Sequence, residues 1–267
     1  MLKAVAFDLW ETLITDTPEV SRQQERLRID RMEEILRARG FTAAAEQIER
    51  AYRSLWYRCH ELYWSSDLDI PCRRQIEHFL EEMGLDAHAF DEQTLSRLEH
   101  GYANAALEIL PLPIRGASDM LQQLKHRGLA IGLISNTGRT PGYVLRQILD
   151  RLGLASSIDK MVFSNEHGEC KPRTSIFENL RGALGVAYDE MVFVGDNLYV
   201  DVFGAQRCGM RAVHFFPGVR GTAVAPPVEH GEEIVPDAVI TSLDEVVRVV
   251  DSLAAPVTGS GTMSSRA

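Results

Sequence analysis

The sequence predicts an α/β fold: a three-layer α/β/α core on a mainly parallel sheet, with a helical domain inserted into it. Short apolar runs rich in Val, Ile and Phe alternate with amphipathic stretches from about residue 115 onward. This alternation is typical of a parallel sheet covered by helices on both faces. The interval 18–109 differs, because it shows helical periodicity and hardly any strand signal.

The elements of the core follow from these two periodicities. The predicted strands are the apolar runs at residues 3–7, 130–134, 161–163, 191–194, 211–215 and 238–240. The predicted helices are the amphipathic stretches at residues 117–127, 142–152, 174–184, 200–208 and 243–253. Gly153 and Gly185 each follow one of these helices, where a left-handed C-terminal cap is expected.

The inserted domain is predicted to contain four helices. The segment Thr17-Pro18-Glu19 supplies an N-cap, a proline suited to the first turn and an early carboxylate, and Gly40 ends that first helix. The other three helices follow from apolar residues at helical spacing. These are Ile48, Ala51, Tyr52, Leu55, Trp56, Cys59 and Tyr63; Ile76, Phe79, Leu80 and Met83; and Leu95, Leu98, Tyr102, Ala105 and Ile109.

The domain boundaries follow from these elements. The segment Pro111-Leu112-Pro113 marks the return of the chain to the core. The predicted core therefore comprises residues 1–16 and 111–253, and the helical cap comprises residues 17–110. Residues 217–236 contain glycines, prolines and charges and predict a long surface loop, whereas the Gly/Ser/Thr-rich residues 254–267 predict a disordered tail.

Composition narrows the class of partner. A net charge of -10 and a pI near 5.3 argue against the concentrated basic face that nucleic acid or an anionic membrane requires, so a small-molecule partner is expected. The four cysteines form no Cys-x-x-Cys pair and suggest neither a zinc site nor a disulfide framework. No apolar run approaches the roughly 20 residues of a membrane helix, and Met1-Leu2-Lys3 leads directly into a strand. A cytoplasmic location is expected.

Four short polar segments carry the chemistry of the chain. Each falls at or just after a predicted strand, the place where parallel α/β sheets assemble their sites. Each is a weak signal alone, but the four together, in order and each in its own strand context, are highly specific. They are Asp8 with Thr12; Ser135-Asn136-Thr137; Lys171-Pro172; and Gly195-Asp196-Asn197 with Asp201.

On these segments the chain resembles the haloacid dehalogenase-like hydrolase superfamily, whose members are mostly phosphatases. The resemblance extends to the helical insertion after the first segment and to the closing strand and helix that begin at Asp237. It implies a Rossmann-like core with a mobile helical cap. It also implies a hydrolase whose substrate is a small phosphorylated molecule.

Asp8 is the predicted nucleophile. A carboxylate at a strand end can attack a phosphorus or carbon centre and form a covalent intermediate, which divides one difficult displacement into two easier ones. Acidic side chains close to one another need a cation, and ligands that are all oxygen favour Mg²⁺. The resemblance implies that Asp8, the backbone carbonyl of Trp10 and Asp196 bind this Mg²⁺. Asp201 is a further candidate ligand.

The remaining candidates are polar side chains of the first three segments. Lys171 can neutralise charge on both the nucleophile and the transferring group, and the Ser135 hydroxyl can bind a phosphoryl oxygen. Thr12 is a candidate catalytic residue, and Asn136 is a candidate for substrate binding. The competing interpretation is structural: Asp201 would only stabilise the first turn of a helix, and Thr12 and Ser135 would only bind turn amides.

Trp10 stands where the family pattern has a second aspartate that shuttles protons. A phosphomonoester leaves as an alkoxide, and an acid that protonates it contributes about 100-fold to 10,000-fold to the rate. Trp10 cannot supply that proton. Glu11 is adjacent in sequence, but neighbouring residues after a strand need not face the same way.

Three functions remain compatible with Trp10. The first is a Mg²⁺-dependent phosphohydrolase whose leaving group needs little protonation, such as an acyl phosphate, or whose acid comes from elsewhere. The second is a dehalogenase-like carbon hydrolase, because haloacid dehalogenases also carry an aromatic residue here and halide leaves without a proton. The third is a weakly active or inactive phosphate-binding protein with a regulatory or interaction role. The spacing from Gly195-Asp196 to Asp201 is of the phosphatase type and favours the first.

Overall fold

The structure is a computed structural model that describes residues 1–218 and 234–254. The strands are β1 (Ala4–Phe7), β2 (Ile14–Thr15), β3 (Leu112–Pro113), β4 (Ala130–Ser135), β5 (Lys160–Phe163), β6 (Met191–Gly195), β7 (Arg211–Phe215) and β8 (Ala238–Ile240). Six of them form a parallel sheet in the order β5-β4-β1-β6-β7-β8, and β2 pairs with β3. The predicted parallel α/β fold is confirmed.

Helices cover both faces of this sheet. The helices are α1 (Pro18–Ala38), α2 (Ala45–Leu62), α3 (Cys72–Glu82), α4 (Glu92–Ala103), α5 (Ala105–Glu108), α6 (Ala117–His126), α7 (Gly142–Arg151), α8 (Ser164–His167), α9 (Thr174–Leu184), α10 (Gly204–Arg207) and α11 (Val246–Ala254). Successive side chains of β1 point to opposite faces. Val5 and Phe7 therefore pack with α6, α7 and α11, whereas Ala4 and Ala6 pack with α9 and α10.

The helical insertion begins and ends at a short antiparallel ribbon. The chain leaves the core through β2 and returns through β3, with Ile14 opposite Pro113 and Thr15 opposite Leu112. Helices α1 to α5 lie between these two strands. The two connections of the insertion are thus paired side by side.

The prediction of a single last helix in the insertion was wrong, because Asn104 divides it into α4 and α5. The Asn104 backbone amide donates to the His100 carbonyl at 3.1 Å, and its side-chain Nδ2 donates to the same oxygen at 2.9 Å. An asparagine side chain that binds the backbone in this way competes with helix continuation.

Two other helices depart from the periodic pattern. The stretch predicted as one helix at 200–208 is a π-helical segment, Leu198–Phe203, followed by α10. In α2 the predicted apolar stripe is buried at Tyr52, Leu55 and Cys59, but Trp56 is 38% exposed. Trp56 instead lies against Trp64, with ring centroids 4.6 Å apart.

Two predictions concern residues outside the described part of the chain. Most of the loop predicted at 217–236 and nearly all of the tail predicted at 254–267 lie there. Within the described residues, no helix is both long and apolar enough to cross a membrane.

Candidate active site

The carboxyl edge of the sheet brings three strand ends together. β1 lies between β4 and β6. The Asp8 amide extends this ladder by donating to the Val194 carbonyl at 2.9 Å. Because neighbouring parallel strands end at the same edge, Asp8, Ser135 and Asp196 all lie there.

Lys171 joins two buried carboxylates at this edge. Its Nζ donates to Asp8 Oδ1 at 2.5 Å and to Asp201 Oδ1 at 2.7 Å. The side chains of Lys171 and Asp201 are each 1% exposed, and that of Asp8 is 10% exposed. Burial opposes the charged form of Lys171, but Asp201 and Asp8 outweigh burial and raise its pKa. A protonated ammonium therefore stands beside Asp8.

Asp196 completes a cluster of three carboxylates. One oxygen from each of Asp8, Asp196 and Asp201 lies within 4.8 Å of the others. Burial, followed by repulsion from Asp201 and Asp8, raises the pKa of Asp196 to about 8. Burial likewise raises the pKa of Asp8 to about 6, although Lys171 opposes this rise. When all three acids are ionised, they exceed the single ammonium in charge, and their oxygens are ligands that fit a hard divalent cation such as Mg²⁺.

Close backbone packing sets the position of Asp201. A Cβ atom on Gly195 would lie 2.4 Å from Asp201 Cγ, so only glycine leaves room for this carboxylate. Asp201 Oδ2 accepts the Asn197 amide at 3.0 Å. The Asn197 side chain in turn caps the π-helical segment by accepting two of its amides at 2.9 and 3.1 Å. Asp201 thus contacts both its own helical segment and Lys171.

Asn136 connects the loop after β4 to the loop that carries Lys171. Its Oδ1 accepts the Lys171 amide at 2.9 Å, and its Nδ2 donates to the Lys171 carbonyl at 3.1 Å. The peptide between Lys171 and Pro172 is cis. The Asn136 side chain therefore holds the Lys171 backbone, and its assignment to substrate binding stays a prediction.

Ser135, at the end of β4, and Thr12, in the turn after β1, carry two buried hydroxyls. Both residues are 0% exposed. The Ser135 hydroxyl makes a long 3.4 Å contact with the Asn136 carbonyl oxygen. Thr12 Oγ1 has no hydrogen-bond partner within residues 1–218 and 234–254. Buried hydroxyls are normally paired, so an unpaired one at a site is typical of a position that a ligand completes.

Trp10 and Glu11 occupy the turn after β1. The Trp10 side chain is partly buried and packs against the larger apolar cluster. Glu11 has a left-handed backbone, with φ of 59°, and both of its carboxylate oxygens lie 2.9 Å from the Thr15 hydroxyl. Glu11 also contributes to the raised pKa of Asp196, as the smallest of its causes. An indole therefore stands where the family pattern places an acid.

The structure adds contacts between the helical insertion and the rest of the chain that the sequence motifs did not indicate. Asp69, which is 6% exposed, lies between α2 and α3 and accepts hydrogen bonds from Thr137 and Ser164 of the core. Arg139 lies over the rings of Tyr52 and Trp56, at 5.1 and 4.5 Å from their centroids. Periodicity identifies helices, but it contains no signal for a polar residue in a connection that reaches another domain.

Comparison with known proteins identifies a family and several sequence relatives. A family model described as haloacid dehalogenase-like hydrolase matches residues 2–209. A ribulose-1,5-bisphosphate 5-phosphatase from Halopiger xanaduensis is 30% identical over 57% of this chain and 62% of its own length. A glyceraldehyde 3-phosphate phosphatase from Methanopyrus kandleri is 29% identical over 95% of this chain and 99% of its own length.

Among solved structures, a 2-haloacid dehalogenase from Pseudomonas syringae pv. Tomato superposes with a TM-score of 0.69. It is 24% identical and covers 95% of this chain and 100% of its own length. At this identity the superposition establishes a shared fold. The chain is therefore similar in sequence to phosphatases and similar in fold to a dehalogenase.

Proposed function

The chain belongs to the haloacid dehalogenase-like hydrolases, and from this premise we propose that it is a Mg²⁺-dependent phosphohydrolase that forms an aspartyl-phosphate on Asp8. The observation that carries the proposal is the cluster of Asp8, Asp196 and Asp201 around Lys171. The phosphatase names of the two sequence relatives support the same reaction class.

The contacts of Asp8 define its part in the reaction. Because Lys171 holds Asp8 Oδ1, the other oxygen, Oδ2, is the one proposed to attack phosphorus. The new oxygen–phosphorus bond forms as the ester oxygen leaves with its electron pair. Water then hydrolyses the aspartyl-phosphate, which releases inorganic phosphate and restores the carboxylate.

The other residues act on charge and position. The Lys171 ammonium neutralises developing charge on the transferred phosphoryl group. Ser135 and Thr12 are the buried hydroxyls proposed to bind phosphoryl oxygens. Asp8, Asp196 and the Trp10 carbonyl, with Asp201 as a candidate, would hold Mg²⁺. When bound, this ion would neutralise charge on the nucleophile and on the phosphoryl oxygens.

Site charge favours phosphoryl transfer over dehalogenation. Trp10 fits a halide leaving group, because halide needs no proton. A haloacid is itself an anion, however, and three carboxylates with one ammonium would repel it. The same groups repel a phosphate ester, but its phosphoryl oxygens are ligands for a divalent cation, which would stabilise the charge that moves in phosphoryl transfer. Displacement of halide from carbon makes no such use of a cation. The aromatic residue at position 10 then limits which esters react rather than changing the reaction class.

A three-substrate assay tests the proposed function. Acetyl phosphate, p-nitrophenyl phosphate and L-2-chloropropionate are each incubated with the protein, in Mg²⁺ and in chelator. We expect phosphate release from the first two, because their leaving groups need little protonation, and loss of that release in chelator. Chloride release that is insensitive to chelator would overturn the proposal. No turnover of any substrate would favour a phosphate-binding protein instead.

The raised pKa of Asp196 predicts a pH dependence of Mg²⁺ binding. Burial and its acidic neighbours raise this pKa to about 8, so the metal-free site retains a proton below that pH. Mg²⁺ must displace this proton, and its affinity should fall roughly tenfold per pH unit below about pH 8. Calorimetric titration of the protein at about pH 8 and about pH 6 measures the change.

Asp196→Asn is the matched control for this titration. An asparagine has neither the negative charge that attracts Mg²⁺ nor a proton that Mg²⁺ must displace. Mg²⁺ binding to this variant should therefore be weak and much less dependent on pH. Mg²⁺ affinity in the unmodified protein that is equal at both pH values would contradict the prediction.

A further inference from the structure

The two carboxylate oxygens of Asp69 accept hydrogen bonds from different domains, one from the cap and one from the core. Its Oδ1 accepts two hydrogen bonds from the cap side, from Trp64 Nε1 at 2.9 Å and from the Ile70 amide at 2.8 Å. Its Oδ2 accepts two from the core side, from the Thr137 hydroxyl at 3.0 Å and from the Ser164 hydroxyl. One buried carboxylate therefore bridges the two domains.

The chain around Asp69 also contacts the loop that leads to Lys171. The Asp69 amide donates to the Gly168 carbonyl at 3.0 Å, and the Cys170 amide donates to the Asp67 carbonyl at 2.8 Å. Leu68 and Glu169 form an antiparallel bridge between these hydrogen bonds. The cap connection thus lies beside the Lys171 loop as a short strand pair.

The loop after Ser135 is held by the cap at every residue from 137 to 140. Thr137 donates to Asp69, and the Gly138 carbonyl accepts Gln75 Nε2 at 2.9 Å. The two residues that follow also contact the cap. Arg139 lies over Tyr52 and Trp56, and the Thr140 hydroxyl accepts Arg28 at 3.3 Å.

From these contacts we propose that Asp69 is a positioning residue of the active site. It fixes the loop that carries Ser135 through Thr137 and Ser164, and it fixes the Lys171 loop through its backbone. Through these contacts the cap sets the geometry of the groups proposed to bind the phosphoryl oxygens. This inference rests on the proposed phosphohydrolase function and adds a residue from outside its four motifs.

The chemistry of Asp69 suits this role. Among the described residues, no lysine, arginine or histidine forms an ion pair with Asp69, so its buried charge is balanced by four neutral donors. Each donor is therefore held strongly, because a buried carboxylate that loses a hydrogen bond is destabilised. Thr137 lies two residues from Ser135. The hydrogen bond between the Thr137 hydroxyl and Asp69 therefore restrains the backbone close to Ser135.

Two substitutions remove one hydrogen bond each from opposite oxygens of Asp69. Thr137→Val removes a core-side bond, and Trp64→Phe is the matched control that removes a cap-side bond. We expect Thr137→Val to lower kcat for p-nitrophenyl phosphate by about 10-fold to 100-fold, because small displacements of catalytic groups have effects of this size. KM should change by less than about threefold. Trp64→Phe should lower Tm comparably and leave kcat unchanged.

Two further variants separate positioning from folding. Thr137→Ser keeps the hydroxyl and should restore kcat. Asp69→Asn keeps an oxygen for the cap-side donors and turns an NH₂ group toward the core hydroxyls, which can then only accept from it. Because the Ser164 hydroxyl already accepts the Thr137 amide, these contacts should weaken, and kcat should fall by less than in Thr137→Val. If Thr137→Val and Trp64→Phe reduce Tm equally and have the same kcat as each other, Asp69 has only a structural role and the proposal is wrong.

Amide hydrogen exchange tests the positioning without requiring turnover. Residues 135–142 and 164–171 should exchange faster in Thr137→Val and Asp69→Asn than in Trp64→Phe. If the unmodified protein has no phosphatase activity but the exchange difference is present, the proposed function is refuted. The inference that Asp69 positions these two loops would still hold. Equal exchange in all variants would refute the positioning, whatever the activity.

Discussion

Asp8→Asn is expected to reduce phosphate release from acetyl phosphate by on the order of 10,000-fold or more, because it removes the attacking carboxylate. The amide has the same shape as the carboxylate, so the loss should come from chemistry rather than from packing. Asp8 is buried beside Asp201, and burial raises its pKa to about 6, so replacing it relieves an unfavourable charge. We therefore expect the variant to fold and its Tm to be maintained.

Covalent labelling distinguishes loss of the nucleophile from a general loss of activity. The unmodified protein is quenched in acid during turnover of acetyl phosphate that is labelled in its phosphoryl group. It should retain the label, and hydroxylamine should remove it, because hydroxylamine cleaves acyl phosphates. Asp8→Asn should retain none. Asp159→Asn is a suitable control, because Asp159 pairs with Lys125 on the surface, and it should label normally. Full activity or full labelling in Asp8→Asn would refute the proposed nucleophile.

Trp10→Asp is expected to raise kcat/KM for alkyl phosphates by about 100-fold or more, because it supplies an acid for an alkoxide leaving group. Acetyl phosphate should gain little, since its leaving group is already stable as an anion. The substitution should therefore reduce the ratio of kcat/KM for acetyl phosphate to kcat/KM for alkyl phosphates. Initial rates of phosphate release from glycerol phosphate and acetyl phosphate measure this ratio.

Stability has to be measured in the same experiment. Trp10 packs partly buried against the apolar cluster, so its replacement should lower the free energy of unfolding by about 2 to 4 kcal/mol. Trp10→Asn is the matched control, because it leaves the same space and polarity without an acid. Equal activity of Trp10→Asp and Trp10→Asn toward alkyl phosphates would show that an acid at this position cannot reach the leaving group.

The two experiments together separate the nucleophile from the proton donor. Asp8 lies at the end of β1, and its contact with Lys171 does not depend on the side chain at position 10. Under the proposed function, we therefore expect Trp10 to affect the departure of the leaving group and not the attack on phosphorus. A chain with an intact nucleophile and no acid should prefer substrates whose leaving groups are weak bases.

Most of the core was predictable because its signals are local. A buried strand between two covered faces needs a short apolar run, and β7 (Arg211–Phe215) and β8 (Ala238–Ile240) begin and end where those runs do. The order of the four polar segments was equally informative. Parallel strands share one carboxyl edge, so residues that follow different strands converge there.

Helical periodicity failed where a single side-chain contact decided the outcome. Asn104 ends α4 because its side chain binds the His100 carbonyl, and the apolar spacing of Leu98 and Tyr102 gives no indication of that hydrogen bond. Trp56 fits the apolar stripe of α2 but is partly exposed beside Trp64. In both cases helical spacing was correct over most of the element, and a single side-chain contact changed the result.

The sequence by itself determined the parallel α/β fold, the helical insertion and the identity of the four polar segments, because strand and helix periodicities depend on residues close together in the chain. Only the tertiary structure decided that Lys171 bridges Asp8 and Asp201, that Trp10 packs against the apolar cluster, and that Asp69 reaches Thr137 and Ser164. Asp69 lies 68 and 95 residues from those two partners. Such contacts arise from how the domains pack, and no spacing within one element specifies them.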